Sequence, residues 1–257
     1  MPTDPWIAFD RLVMGGHVKL KPAEIKAIKE KFAEEKLLSA SGFAFAAAQL
    51  AAGNIDRFQV GDIIPIVTET GIDIDFVVIG KNQDGENTLT VQTKNAFGKI
   101  RFSGATADHP YGWNHPLHNT MRKYLNEDFA KLISKVNLDC LQLSKKLTRT
   151  SDEDGGEMVT TEDLFFCLSA SEAGFEVDDK YVYCEGAPYR FYADNLDVLR
   201  TKSDFEKPRT WWLRSPGPSV AFLVRYVNTD GSLNYFAANS SSHAVAPACV
   251  IKAKPIL

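Results

Sequence analysis

The chain reads as an α+β protein, and three observations predict that class. Apolar residues recur at helical spacing in two places, Ile25, Ile28 and Phe32, then Met121, Tyr124, Leu125, Phe129 and Leu132. Short runs rich in β-branched residues stand apart from them at Ile63–Val67, Asp73–Ile79 and Thr88–Thr93. The composition, 44% hydrophobic and 24% charged over 257 residues, is that of a soluble globular chain able to bury one sizeable core, or one core plus a small appendage.

In chain order, the first segment is 1–57. Pro22 suits the first turn of a helix over 22–38, where a missing N–H costs nothing. Gly42 interrupts, and an Ala-rich apolar stretch predicts a second helix over 43–52, ended by Gly53-Asn54. Such a segment either packs on the following domain as a helical hairpin or serves as a homo-oligomer or assembly contact. From Phe58 the pattern turns to β. Asp84-Gly85 is a turn signal that makes a hairpin of the second and third runs, and the alternation Ile72-Asp-Ile-Asp-Phe76 predicts one wet face. Asp108–Asn119 is a loop, with Pro110, Gly112 and Pro116. Thr120–Ser134 is a helix, Val136–Leu147 extended or mixed, Ser151–Glu157 an acidic surface loop, and Leu164–Leu168 a short buried strand. Residues 173–210 hold Tyr181, Tyr183, Tyr189, Phe191 and Tyr192 without periodicity and read as a long irregular insertion. The chain closes with strands at Trp211–Arg214, Ala221–Val227, Ser232–Phe236 and Ala248–Lys252, the middle two joined by the turn Asn228-Thr-Asp-Gly231.

Several function classes find little support. A net charge of −4 without a dense Lys/Arg stripe speaks against nucleic acid as partner. No apolar run has the length of a membrane span, and Met1-Pro-Thr-Asp-Pro-Trp lacks the basic and apolar regions of a signal peptide. Cys140, Cys167, Cys184 and Cys249 form no Cys-x-x-Cys and read as buried thiols. His109, His115 and His118 share a loop, but their spacing matches no standard metal site. Asp152, Glu153, Asp154 and Glu157 lack the alternating ligands and closing Glu of a calcium loop. There is no Gly-x-Ser-x-Gly nucleophile elbow. No cofactor, metal or catalytic residue is expected.

One stretch has an unusual alphabet. Lys, Glu, Gln, Met and Trp supply 46 of the 257 residues, yet none of them occurs from Leu213 to Ile251. The stretch starts within Trp-Trp-Leu-Arg-Ser-Pro-Gly (211–217) and ends in Val-Ala-Pro-Ala-Cys-Val-Ile (245–251). Between them, Asn234-Tyr-Phe-Ala-Ala-Asn-Ser-Ser-Ser-His243 shows neither strand nor helix periodicity. It mixes rigid aromatic rings with small hydroxyl and amide groups, as binding loops do.

These blocks carry a resemblance. Trp-Trp-Leu-Arg-Ser-Pro, the Val-x-x-Asp-Gly turn at 227–231 and Val-x-Pro-Ala at 245–248 resemble a bacterial and phage domain family of unknown function. Asn119-Thr-Met-Arg-Lys-Tyr-Leu-Asn126 resembles its Arg-x-x-Leu-Asn helix. Thr160-Thr-Glu-Asp-Leu-Phe-Phe-Cys-Leu-Ser-Ala-Ser-Glu172 resembles its Thr-x-Asp-x-x-Phe-x-Leu-Ser-x-x-Glu block. The likeness runs over about 58–251; Ala246 departs from it, where many members carry Arg. That family is itself similar to the C-type lectin-like variable proteins of diversity-generating retroelements. There, Asn codons are rewritten at adenines, a chemistry that cannot reach Lys, Glu, Gln, Met or Trp.

The resemblance implies a C-type lectin-like fold over 58–257, related to that of formylglycine-generating enzymes, with its variable region at about 213–251. It implies a non-enzymatic protein that binds a ligand, foremost a protein, through a hypervariable surface. The expected contacts are Val220, Phe222, Leu223, Arg225, Tyr226, Asn228, Asn234, Tyr235, Phe236, Ala238, Asn239, Ser240, Ser242 and His243. Trp211, Trp212, Leu213, Arg214 and Pro247 are the expected scaffold, with one Trp buried and the other at a sheet edge. The expected location is the cytoplasm or a phage virion, where 1–57 provides the assembly contact. The alternatives are an enzyme of the formylglycine-generating type, which needs reactive cysteines, and a structural virion protein. The calcium-lectin sugar motifs are absent, and Trp113-Asn114-His115 is only a partial echo of one.

Overall fold

The computed structural model describes residues 23–24, 26, 42–103, 112–115, 119–153, 155–178, 180–204, 206–218 and 220–255. Most of the expected first helix lies outside the described residues, as do His109, His118 and Asp154. The second helix, α1, spans 42–51, and its Phe43, Ala46, Ala47 and Leu50 are buried in the same core as the strands. Asn137 Oδ1 accepts the backbone N–H groups of Phe43 and Ala44 at 3.0 and 3.3 Å, and the Phe43 ring meets Phe76 edge-on at 4.9 Å. α1 therefore shares one core with the strands.

The described architecture is mixed helix and sheet, mostly β. β1 (Ile63–Val67), β2 (Asp73–Lys81) and β3 (Thr88–Thr93) form an antiparallel meander. The β-branched runs make these strands because such side chains pack well on a pleated surface. The last strand, β13 (Ala248–Lys252), adds antiparallel to β3, and β4 (Leu141–Gln142) and β7 (Phe165–Phe166) add to its far side, giving six strands. β13 is covered on all sides, which explains its unbroken Ala-Cys-Val-Ile run.

The expected helix at 120–134 runs from Thr120 to Leu132 in three pitches. An α turn (α2, Thr120–Lys123) leads into a π-helical stretch (Tyr124–Phe129) and a 3-10 turn (Ala130–Leu132). The "extended or mixed" stretch resolves into a short helix α3 (Lys135–Leu138), β4, and β5 (Ser144–Arg149), which pairs with β6 (Met158–Asp163). Residues 173–210 are largely irregular, holding a 3-10 turn (Arg190–Tyr192), α4 (Asp197–Arg200) and the short ribbon β8 (Lys202–Ser203) and β9 (Pro208–Arg209).

A separate three-stranded antiparallel sheet presents the segment of restricted alphabet. Its order is β10 (Trp211–Pro216), β11 (Leu223–Val227), β12 (Leu233–Ala237). β10 is wholly buried, whereas β12 is the outer strand and carries three exposed residues in succession. Among the described residues no helix is long and apolar enough to cross a membrane.

Candidate functional site

The motif blocks turn out to be each other's partners. Arg214, in β10, buries its guanidinium and ion-pairs with Glu172 of the Leu-Ser-x-x-Glu block. It also donates to Thr148 Oγ1 (3.0 Å) and to the carbonyls of Cys167 (2.9 Å), Leu147 and Glu185 (3.1 Å each). The neighbouring Ser215 hydroxyl donates to the Glu185 carboxylate and accepts the N–H of Ala170. Below lies Lys146, bonded to Asp84 (2.6 Å) and Tyr189 (2.7 Å), with its ammonium 3.9 Å from the centre of the Phe166 ring. Two buried cations, Arg214 and Lys146, are thus matched by the carboxylates of Glu172 and Asp84, as burial demands. Burial pushes the Glu185 carboxyl up to about 7, although Arg214 and Ser215 act to hold it down.

The second pair of blocks docks in the same way. Asp163, buried, accepts from Trp113 Nε1 (3.0 Å), Thr161 Oγ1 (2.6 Å) and Arg122 Nε. Asn126 closes the contact: its amide donates to Phe165 O and its carbonyl accepts the N–H groups of Leu164 and Phe165. Trp211 Nε1 donates to Arg200 O and Trp212 Nε1 to Ile100 O, both at 2.9 Å. The Val-x-x-Asp-Gly turn is held by Arg200, whose Nε donates to Gly231 O at 3.0 Å. Gly231 has φ +88°, and a Cβ there would run into Asp197 O, so the turn needs glycine. Pro247 O accepts the N–H of Thr93 at 2.9 Å. Trp211, Trp212, Leu213 and Arg214 are all inside. Both tryptophans are buried on β10, an edge strand of its three-stranded sheet, and Phe102 packs against Trp212 at 5.9 Å.

With the motif side chains used in the interior, the residues left to face outward lie on β11, β12 and the loop after them. The register Val224↔Phe236, Arg225↔Tyr235, Tyr226↔Asn234 sorts them into two faces. On one face Phe236 stands over Tyr226 and His243. His243 stacks on Tyr226 at 4.2 Å and meets Trp212 at 4.3 Å and Phe236 at 5.4 Å. Its Nδ1 lies 2.7 Å from Thr210 Oγ1, and burial pushes its pKa down to about 4, so the ring is neutral in this aromatic stack. On the other face Arg225 lies under Tyr235, guanidinium carbon 5.5 Å from the ring centre.

Exposure divides the expected contacts. Phe222, Tyr235 and Phe236 are 39%, 44% and 47% exposed, and Asn234, Asn239 and Ser242 are exposed with them. Val220, Leu223, Asn228 and Ser240 are half-buried. Arg225, Tyr226, Ala238 and His243 are buried. Strand alternation turns Tyr226 onto Trp212, and Ala238 lies under Ser103, whose N–H bonds its carbonyl at 2.9 Å.

The structure adds a border that sequence reasoning missed. Arg225 donates to the carbonyl of Tyr181, in the loop that Asp178 Oδ1 folds by accepting the N–H groups of residues 180–182. Glu153 of the acidic loop accepts the N–H of Ala221 at 2.6 Å, at the root of β11. Nothing in the sequence links 153 or 178–183 to β11, since each loop is joined to it by a bond between one side chain and one backbone group. A cleft of about 600 Å³ is lined by Asn119, Arg122, Asn126 and Glu162, none of them among the expected contacts.

Residues 86–253 match the model of a protein family described as a domain of unknown function (DUF6273). The chain belongs to that family. The match takes in the Arg-x-x-Leu-Asn helix, the Thr-x-Asp block, β10–β12 and β13, so the Arg214–Glu172 and Arg122–Asp163 pairs lie within the DUF6273 domain, while Asp84, the partner of Lys146, stands just before it. No curated protein and no solved structure matches the chain. Among the described residues no group of three or more His, Cys, Asp or Glu side chains is placed to hold a metal ion. Two thiols of the domain, Cys167 and Cys249, are fully buried, and burial pushes both pKa values well up, away from the reactive thiolate.

Proposed function

We propose that this DUF6273 domain is a non-enzymatic binding protein of C-type lectin-like type, whose β11–β12 hairpin displays a diversified surface to a protein ligand. The observation that carries the reading is the coincidence of two boundaries. The alphabet without Lys, Glu, Gln, Met and Trp spans 213–251, and within it the exposed aromatic residues Phe222, Tyr235 and Phe236 ride on an outer hairpin. Beneath them the motif side chains are committed to one another. A fixed base under an outward hairpin is the arrangement that lets side chains change without unfolding the domain. Exposed aromatic anchors among small polar groups suit a protein epitope.

A formylglycine-generating-type enzyme needs a reactive cysteine pair; Cys184, expected to be a buried thiol, is exposed, but Cys140, Cys167 and Cys249 are buried, which favours binding over that chemistry. The surface contains a single acidic residue, Asp230, whose carboxylate is taken by the Ser232 N–H and hydroxyl in the turn. Sugar recognition through calcium needs several oxygen ligands, so the reading is of a metal-independent contact. The test uses the intact chain as bait for surface proteins of host and neighbouring bacteria, with and without EDTA. Binding that survives EDTA and is lost with Tyr235→Ala plus Phe236→Ala is the expected result. Loss on chelation with the double variant still binding would show that another surface and another mechanism operate.

A further inference from the structure

Three arginines are buried in this domain, and they are not alike. Arg214 uses its guanidinium on Glu172, a hydroxyl and three carbonyls. Arg200 bonds Asp197, Asn195 and the carbonyls of Gly231 and Ala173. Arg225, only 5% exposed, makes one hydrogen bond, to Tyr181 O. Its Nε is buried and has no acceptor among the described residues. A guanidinium cannot shed its charge at any ordinary pH, so an unmatched donor in the interior is costly.

No nearby carboxylate hydrogen-bonds the guanidinium among the described residues, and Asp178 acts on it only through space. Asp178 Oδ1 holds three backbone N–H groups of its own loop, and Asp152 pairs with Arg149. Glu153 takes the N–H of Ala221, and Glu185 takes the Ser215 hydroxyl and the Arg149 N–H. The cover over Arg225 is light. Tyr235 is 44% exposed on the outer strand, and its contact with the guanidinium is a long cation–π approach.

Building on the binding surface assigned above, we propose that Arg225 is the anchor of a carboxylate subsite, engaged when Tyr235 swings aside for an Asp or Glu side chain of the protein partner. The partner's carboxylate supplies the acceptor that the chain withholds from Nε, and a bidentate contact uses the planar fork of the guanidinium. Tyr181 and Tyr235 flank the incoming group, and Tyr181 O keeps the arginine in place from behind. The partner surface is therefore acidic at the point that meets β11.

The experiment follows the Arg Nε–Hε resonances of the ¹⁵N-labelled full chain, with that of Arg225 identified by its disappearance in Arg225→Lys. The probes are an acetylated, amidated tetrapeptide with two glutamates, its glutamine counterpart, and inorganic phosphate at matched ionic strength. The glutamate peptide is expected to move the Arg225 signal saturably and leave those of Arg200 and Arg214 in place, while the other two probes do nothing. Arg225→Lys is expected to weaken the peptide about tenfold, through loss of the fork. Tyr235→Ala, by uncovering the guanidinium, should strengthen it. No response, an equal response to the glutamine peptide, or a response to phosphate alone overturns the subsite. The three probes are read on the parent chain, and Arg225→Gln serves for the assignment if Arg225→Lys folds poorly. Failure here with a protein partner that still requires Tyr235 and Phe236 would remove the subsite and leave the binding surface standing.

Discussion

Leu213→Ala set against Phe236→Ala separates base from display. Leu213 is fully buried in β10, between the two interior tryptophans and Arg214. Truncating such a leucine removes its transfer energy and leaves a cavity in a sheet that cannot close over it, because Arg214 is fixed by five acceptors. The expected loss is about 2–5 kcal/mol. Phe236 is 47% exposed, so only about half of a phenylalanine's burial energy is at stake, roughly 1–1.5 kcal/mol. Tyr235, 44% exposed, falls in the same range. Urea melts followed by far-ultraviolet circular dichroism read the difference directly. With a urea slope of about 2–3 kcal/mol per molar, Leu213→Ala moves the midpoint by about 1 M or more and Phe236→Ala by about 0.5 M. A larger loss for Phe236→Ala than for Leu213→Ala would mean that the hairpin belongs to the core, and the assignment of a replaceable surface would fall.

Other expectations follow from the buried charges and the turn. Glu185 holds its proton more tightly folded (about 7) than at its ordinary 4.5, so its contribution is full below pH 4.5 and is lost as pH rises through 7. The loss is about 3 kcal/mol at most; Glu185→Gln should flatten this part of the stability–pH curve measured in urea, and an unchanged slope would point to another group. Arg122→Ala leaves Asp163 buried without its cation and should cost about 3 kcal/mol in the same melts; a change under 1 kcal/mol would show that Trp113 and Thr161 suffice. Gly231→Ala forces a side chain into Asp197 O at positive φ and should lower the thermal midpoint by several degrees, whereas an unchanged midpoint would show that the turn relaxes freely.

Much of the fold was legible because its signals are local. β1, β3 and β13 begin and end where β-branched runs meet turn residues, and Asp84-Gly85 marks the hairpin between β2 and β3. The site was legible in outline for a different reason, a restricted alphabet that no periodicity explains. What escaped is set by which side of a strand is covered. In β5, Lys145 and Lys146 read alike, yet Lys145 is exposed and Lys146 buried, while Leu147 faces out. The pattern is inverted because Asp84, Tyr189 and Glu172 come from distant parts of the chain to receive the ammonium. In β11, Leu-Val-Arg-Tyr-Val has no polar–apolar alternation, so nothing local shows that Arg225 and Tyr226 turn inward on opposite faces. The π-helical stretch at Tyr124–Phe129 likewise has no mark in an ordinary apolar spacing. It lies where Asn126 must reach both strands of the Leu164–Phe165 corner.

The central claim is that the exposed residues of one hairpin are diversified on a constant base, and deep sequencing of the locus and its sister copies tests it most directly. The account predicts changes concentrated at Phe222, Asn234, Tyr235, Phe236, Asn239 and Ser242, at codons with adenine in a nearby template copy. It predicts constancy at Trp211–Pro216, Asp230-Gly231 and Val245–Ile251. Changes spread evenly along 86–253, or constancy at Tyr235 and Phe236 beside variation in Trp212 and Arg214, would contradict it.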